Sequence, residues 1–120
     1  MFKVHANTVR NRLYLTLSGF FSAAESKACG DEAVAAIRQL KSGYDVITDI
    51  AEFKPGTPEV AKDIERVQAH FKATGARRGV RVVGKNAAGS MQFARLATQA
   101  GFTSCNVATL AEAEKLLDSQ

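Results

Sequence analysis

Tryptophan is absent, and proline, cysteine, histidine, methionine and tyrosine occur only twice each. So little proline, with nine glycines scattered along the chain, excludes collagen-like and low-complexity classes. Cys29 and Cys105 have no CxxC spacing and no neighbouring histidine, which argues against a zinc ribbon or a dithiol redox motif. They read as small buried residues. No apolar run is long enough to cross a bilayer, so no membrane insertion is expected. The opening "MFKVHANTVRNR" lacks the apolar core of a signal peptide, and a cytoplasmic home with reduced thiols is the expectation. A dominant charge is missing too: 16 Lys and Arg face 12 Asp and Glu, leaving a net charge of +4. The basic residues are dispersed apart from Arg77, Arg78 and Arg81, with no aromatics interleaved, so nucleic acid is not indicated as a partner.

Catalytic motifs are equally sparse. No GxGxxG follows a strand, which leaves a dinucleotide fold unsupported. "GKNAAGS", residues 84–90, has glycines and a lysine but not the Walker order. Its backbone N–H groups, at a strand-to-helix junction, suit an anion; a tight turn of small residues explains the same text. Lys85, Asn86 and Ser90 are its candidate ligand-binding side chains. His5 and His70 have no partner at triad or metal spacing, so neither a metal nor another cofactor is expected. Asp45 and Asp49 share a face of one predicted strand, with Asp49 at the C-terminal end where α/β proteins place ligands. A phosphoacceptor aspartate would need an acidic pair after the first strand to hold magnesium, but the first two strands end in Ala6-Asn7 and Ser18-Gly19. An enzyme would require Asp45, Asp49, Lys85 and Asn86 to meet in one cleft.

What the sequence does contain is clear periodicity, and a hydrophobic fraction of 46% suited to one folded domain over residues 1–120. "FKVHA" (2–6) and "RLYLTLS" (12–18) alternate as strands and read as a hairpin around Asn7 to Asn11. Ser22 and Glu25 form a capping-box pattern that opens a helix reaching about Lys41, with Phe21, Cys29, Ala33, Ala36, Ile37 and Leu40 on one stripe. Gly30 is an unfavourable residue in its middle. "YDVITDI" (44–50) is the next strand. A second helix from about Thr57 to Thr74 carries Val60, Ile64, Val67 and Phe71 as a seam. "GVRVVG" (79–84) is a short strand. A third helix follows "KNAAGS" and offers Met91, Phe93, Leu96, Ala97 and Ala100 to the core. A brief strand over 104–107 and the helix "LAEAEKLLD" close the chain. The order ββαβαβαβα predicts an α/β domain: a mostly parallel sheet of about five strands, with an opening hairpin and four helices.

Several stretches resemble one family. "NRLYLTLSGFFSAAE" is similar to the strand-glycine-helix opening of STAS domains, the sulfate-transporter and anti-sigma-factor-antagonist family. "GYDVITDIAEF" is similar to that family's central strand, which ends in Asp and a short hydrophobic loop. "ARRGVRVVGKNAAGSMQFARLATQAGF" and "NVATLAEAEKLL" resemble its late strand-loop-helix and its closing helix. The resemblance covers residues 9–118 and points to a divergent, SpoIIAA-like member. It implies a non-enzymatic protein-interaction module whose partner is an anti-sigma factor that is also a kinase. It also implies a switch by phosphorylation of a Ser or Thr at the start of the helix after the central strand. The family's Asp-Ser pair is missing there: "IAEFKPGTPEV" follows Asp49, and Thr57 is the only hydroxyl in the loop, so it is the position that carries over.

Thr57 also has a purely structural explanation. Threonine caps helices, Pro58 suits the first helical position and Glu59 favours the positive helix end. By that account Thr57→Ala costs about 1 kcal/mol. The expected interaction surface is the loop Lys54, Gly56, Thr57 and Pro58 with the exposed face of the second helix, which carries Lys62, Asp63, Arg66 and His70. An alternative is a small-ligand or lipid-binding domain without phosphoregulation, with Phe20, Phe21, Phe53, Phe71, Phe93 and Phe102 around a pocket; an ordinary core uses the same residues.

Overall fold

The structure, a computed structural model, describes residues 1–102 and 104–119. The nine elements run β1 (Phe2–Asn7), β2 (Arg12–Gly19), α1 (Ala23–Ile37), β3 (Asp45–Phe53), α2 (Pro58–Ala73), β4 (Arg78–Val82), α3 (Ala87–Ala100), β5 (Cys105–Val107) and α4 (Leu110–Asp118). They build one α/β domain around one five-stranded sheet, laid down in sequence order β1-β2-β3-β4-β5. β1 pairs antiparallel with β2 and the other pairings are parallel. The expected ββαβαβαβα order and edge hairpin are therefore present.

The layering follows from handedness. Each parallel crossover is right-handed, and each new strand is added on the same side of the last. The crossover helices α1, α2 and α3 must then share one face. Leu13, Leu15, Val46 and Ile50 point toward it, and their neighbours Ile47, Val80 and Val82 point to the face covered by α4. Leu13 and Ile50 are fully buried. Burial of each such side chain contributes about 1.5–3 kcal/mol.

The hairpin turns at Asn11, whose φ of 54° is left-handed. Asparagine tolerates that conformation better than most residues. Asn7 Oδ1 accepts the N–H groups of Val9 and Arg10 and closes the turn. Ser22 caps α1 as its sequence indicates, accepting the Glu25 N–H at 3.1 Å. A side chain at Gly30 would meet the Arg66 guanidinium and Val67 on α2, so the mid-helix glycine lets the two helices approach closely.

Several boundaries and placements differ from expectation. α1 stops at Ile37, four residues short of Lys41, because Arg38, Gln39 and Leu40 donate to carbonyls three back and tighten into turns. Leu40 still packs on the core. β3 continues to Phe53, three residues past the predicted end, and β4 stops at Val82. Met91 is 73% exposed and Gln92 takes the buried position beside it. Cys29 is buried as expected and its thiol is pushed up to about 12, mainly by burial, but Cys105 is exposed.

α4 is fastened at the N-terminal ends of the strands. Arg12 is buried and donates to Glu114 at 3.1 Å and Asp118 at 3.0 Å. Tyr14 donates to Glu114 at 2.6 Å, and Arg78 donates to the Leu117 carbonyl at 3.1 Å. Asp45 lies between Arg78 (3.0 Å) and Arg77 (3.3 Å). Burial pushes its carboxyl up, but hydrogen bonds from Arg78 and then Arg77 more than offset this and hold it below its ordinary value.

Candidate interaction site at the C-terminal edge of the sheet

The opposite end of the sheet gathers the loops that follow β2, β3 and β4, the edge at which parallel sheets present ligand sites. Two neutral amides from one helix hold them. Asn86 Nδ2 donates to the carbonyls of Ile50 (2.7 Å) and Phe53 (2.6 Å) at the end of β3. Its Oδ1 accepts the Gly89 N–H at 3.0 Å and so caps α3. Gln92, nearly two turns further on, closes a two-way clamp on Gly56: Oε1 accepts its N–H at 3.1 Å, and Nε2 donates to its carbonyl at 3.3 Å. The Lys54 N–H donates to the Gly19 carbonyl at 3.1 Å, which ties the loop to the end of β2. Next to Gly19, Phe20 is 76% exposed.

Thr57 sits at the N-cap position of α2 with extended backbone (φ −70°, ψ 172°), and Pro58 follows as expected. Its side chain makes no capping hydrogen bond to the backbone. This corrects the capping account. The neighbouring Glu59 carboxyl is held below its ordinary value, first by its own backbone N–H and then by the nearby Thr57 hydroxyl. Thr57, Pro58 and Glu59 are all exposed.

Lys54 and Lys85 are exposed, and among the described residues neither is in an ion pair. They flank an open cleft of about 490 Å³ between residues 51–55 and residues 84–88. A second groove of about 550 Å³, between α2 and α3, is lined by Gly56, Thr57, Pro58, Lys62 and Arg95 among others. The edge thus carries, on three neighbouring loops, exposed cationic side chains at Lys54 and Lys85, an exposed hydroxyl at Thr57 and an exposed aromatic at Phe20. Lys54, Lys85 and Asn86 line the first cleft, and Gly56, Thr57 and Pro58 line the second groove.

Ser90 lines neither. It is half-buried, and its Oγ accepts Asn106 Nδ2 at 3.0 Å, joining α3 to β5. Asp45 opens β3 and Asp49 sits at its middle, short of the predicted strand end: Asp45 is taken by arginines, and Asp49 Oδ1 accepts the Ala51 N–H at 3.1 Å. Asp45, Asp49, Lys85 and Asn86 therefore share no cleft. His5 is exposed on β1, its ring 6.0 Å from that of Tyr14, and His70 is half-buried. Among the described residues no group of three His, Cys, Asp or Glu could hold a metal ion, and no helix is long and apolar enough to cross a membrane.

The aromatics divide. Phe21, Phe53, Phe71 and Phe93 wall a core cavity of about 50 Å³. Phe102 packs edge-on against Phe71 with centroids 5.4 Å apart, and Phe20 faces solvent. Drug-sized ligands occupy about 300–1,000 Å³, so this cavity does not accommodate a lipid chain.

Sequence reasoning missed Gln92, although Gly89, Gln92, Phe93, Leu96 and Ala97 follow helical spacing. It also missed Arg81, a buried guanidinium held by Asn106 (3.1 Å) and the Phe93 ring (5.9 Å) without a carboxylate partner among the described residues. Burial lowers its pKa. No family model matches the chain, and it has no significant match to a curated protein. The fold defines its class: a single α/β domain with a five-stranded mixed sheet.

Proposed function

We propose that this domain is a non-enzymatic protein-interaction module of the STAS type, and that its partner, an anti-sigma factor or kinase in the cytoplasm, reads the Lys54–Pro58 loop. One observation carries the proposal: Thr57 is exposed at the start of α2, its hydroxyl free of any backbone capping bond, on a loop held by Asn86 and Gln92. A residue needed only as a cap would engage the helix backbone. A hydroxyl left outside a fixed loop is accessible to a kinase.

Phosphate on Thr57 would add a charge of about −1.5 to −2. The positive end of α2 favours that charge, Glu59 beside it opposes it, and Lys54 lies in the same loop. The charge would change the surface that a partner meets with little effect on the fold. The sequence resemblance supports the same position independently of the geometry.

The test is capture from a native lysate with wild type, Thr57→Ala and Thr57→Glu as baits, each first shown to be folded by circular dichroism. A partner retained by wild type and Thr57→Ala, and lost by Thr57→Glu, is the expected result, with phosphate on Thr57 found by mass spectrometry. Equal recovery by all three baits would remove the phosphoswitch.

A further inference from the structure

β1 is an edge strand of the sheet, and among the described residues it touches only β2 and α1. Its ladder with β2 has a fixed phase. Met1 and Ser18 exchange both of their backbone hydrogen bonds, each at 2.9 Å. In an antiparallel pair, exchanging positions alternate with positions whose N–H and C=O groups point away from the partner. Lys3, His5 and Asn7 therefore bond to β2, and Phe2, Val4 and Ala6 turn their backbone groups outward from the sheet. The side chains of Phe2, Val4 and Ala6 pack on the α1 face, and those of Lys3 and His5 are exposed on the other.

A row of outward, unpaired backbone groups is a template for another strand. The residues of β1 select a copy of β1 itself. Antiparallel pairing centred on Val4 sets Val4 against Val4 of the copy and Phe2 against Ala6 of the copy, so every outward N–H and C=O of both strands is used. Lys3 then falls opposite His5 of the copy. Sliding the copy one way would set Lys3 directly against Lys3, a destabilising pair of like charges. Sliding it the other way would carry Phe2 past the end of the copied strand.

Shape agrees with the centred register. A groove of about 450 Å³ lies at this edge between β1 and α1, with Ala6, Ala35 and Ala36 in its wall. Phe2 is half-buried, and in the centred register the ring from the copy enters this groove beside Ala6. The other edge of the sheet, β5, is only three residues long. Pairing β1 with β5 would be head-to-tail and leave an open edge at each end, whereas β1 with β1 closes on itself.

We propose that β1 is a docking edge for a second copy of this chain, which joins two sheets into one continuous sheet about a two-fold axis at Val4. β2 separates this edge from β3 and the Lys54–Pro58 loop, so the dimer and the interaction proposal are tested separately.

The test is sedimentation equilibrium of the full chain as wild type, His5→Lys and His5→Glu, with amide exchange followed at rising protein concentration. The wild type should form a dimer and nothing larger, and the Phe2, Val4 and Ala6 amides should gain protection as it forms. His5→Lys sets lysines opposite each other at two symmetric points and should weaken the dimer about tenfold, whereas His5→Glu should tighten it. His5 is exposed, so both variants should keep the fold, which circular dichroism checks. If one does not fold, the other decides. A wild type that stays monomeric at millimolar concentration would overturn the proposal. So would a dimer indifferent to both substitutions, growth beyond the dimer, or a dimer in which the Phe2, Val4 and Ala6 amides exchange freely.

Discussion

The two ends of the parallel strands are held by different chemistry. At the N-terminal end, charges are used against each other: Arg12 with Glu114 and Asp118, Arg77 and Arg78 with Asp45, Arg10 with Asp118. At the C-terminal end, neutral amides and backbone groups do the holding, and Lys54, Thr57 and Lys85 stay outside the network. An ion network of paired charges makes a stiff clasp and a poor recognition surface, since a partner would first have to break it. A loop fixed by uncharged groups keeps its charged side chains available while losing little entropy on binding.

The contrast is sharpest under substitution. Asp45→Asn should be the most damaging change, at about 3 kcal/mol, because it leaves the largely buried Arg78 guanidinium without its carboxylate, while the more exposed Arg77 stays solvated. It should also alter the pH dependence. The Asp45 carboxyl is depressed in the fold, so its stabilisation is complete above about pH 4, the unfolded value, and is lost as pH falls through the lower folded value. Urea titrations across that range should show wild type losing stability on acidification and Asp45→Asn losing less.

Asn86→Ala should cost about 2 kcal/mol, since it removes the α3 cap and uncovers two β3 carbonyls. Faster amide exchange in residues 54–57 should accompany it. Gln92→Ala should cost about 1 kcal/mol and loosen Gly56 with less effect on β3. Thr57→Ala comes last, below about 0.5 kcal/mol, because no backbone cap is lost. A thermal melt showing a full capping penalty at Thr57 would put this end of the molecule on the same structural footing as the other.

Much of this was legible from spacing. Alternation in "RLYLTLS" and the four-three-four seam of α2 fixed element types, and handedness then placed the helices. The loop site was legible in part, since Pro58 and a lone hydroxyl mark the start of α2. Asn86 and Gln92 were not assigned their roles, because bonds to carbonyls 33 and 36 residues away have no local signature. Met91 was misplaced by one helical step: both it and Gln92 lie near the edge of the buried stripe, and hydropathy favours methionine where geometry buries glutamine. The Asp45 cluster was hidden for the same reason as the amides, with Arg77 and Arg78 lying 32 and 33 residues away where the next strand begins.

The central claim is that one end of the sheet is structural and the other is for recognition. The most direct measurement is quantitative capture of the partner by three baits: wild type, the double variant Lys54→Glu with Lys85→Glu, and Arg10→Glu at the opposite end. The account predicts that the double variant loses the partner while Arg10→Glu keeps it at the wild-type level. Loss with Arg10→Glu and retention with the double variant would contradict it.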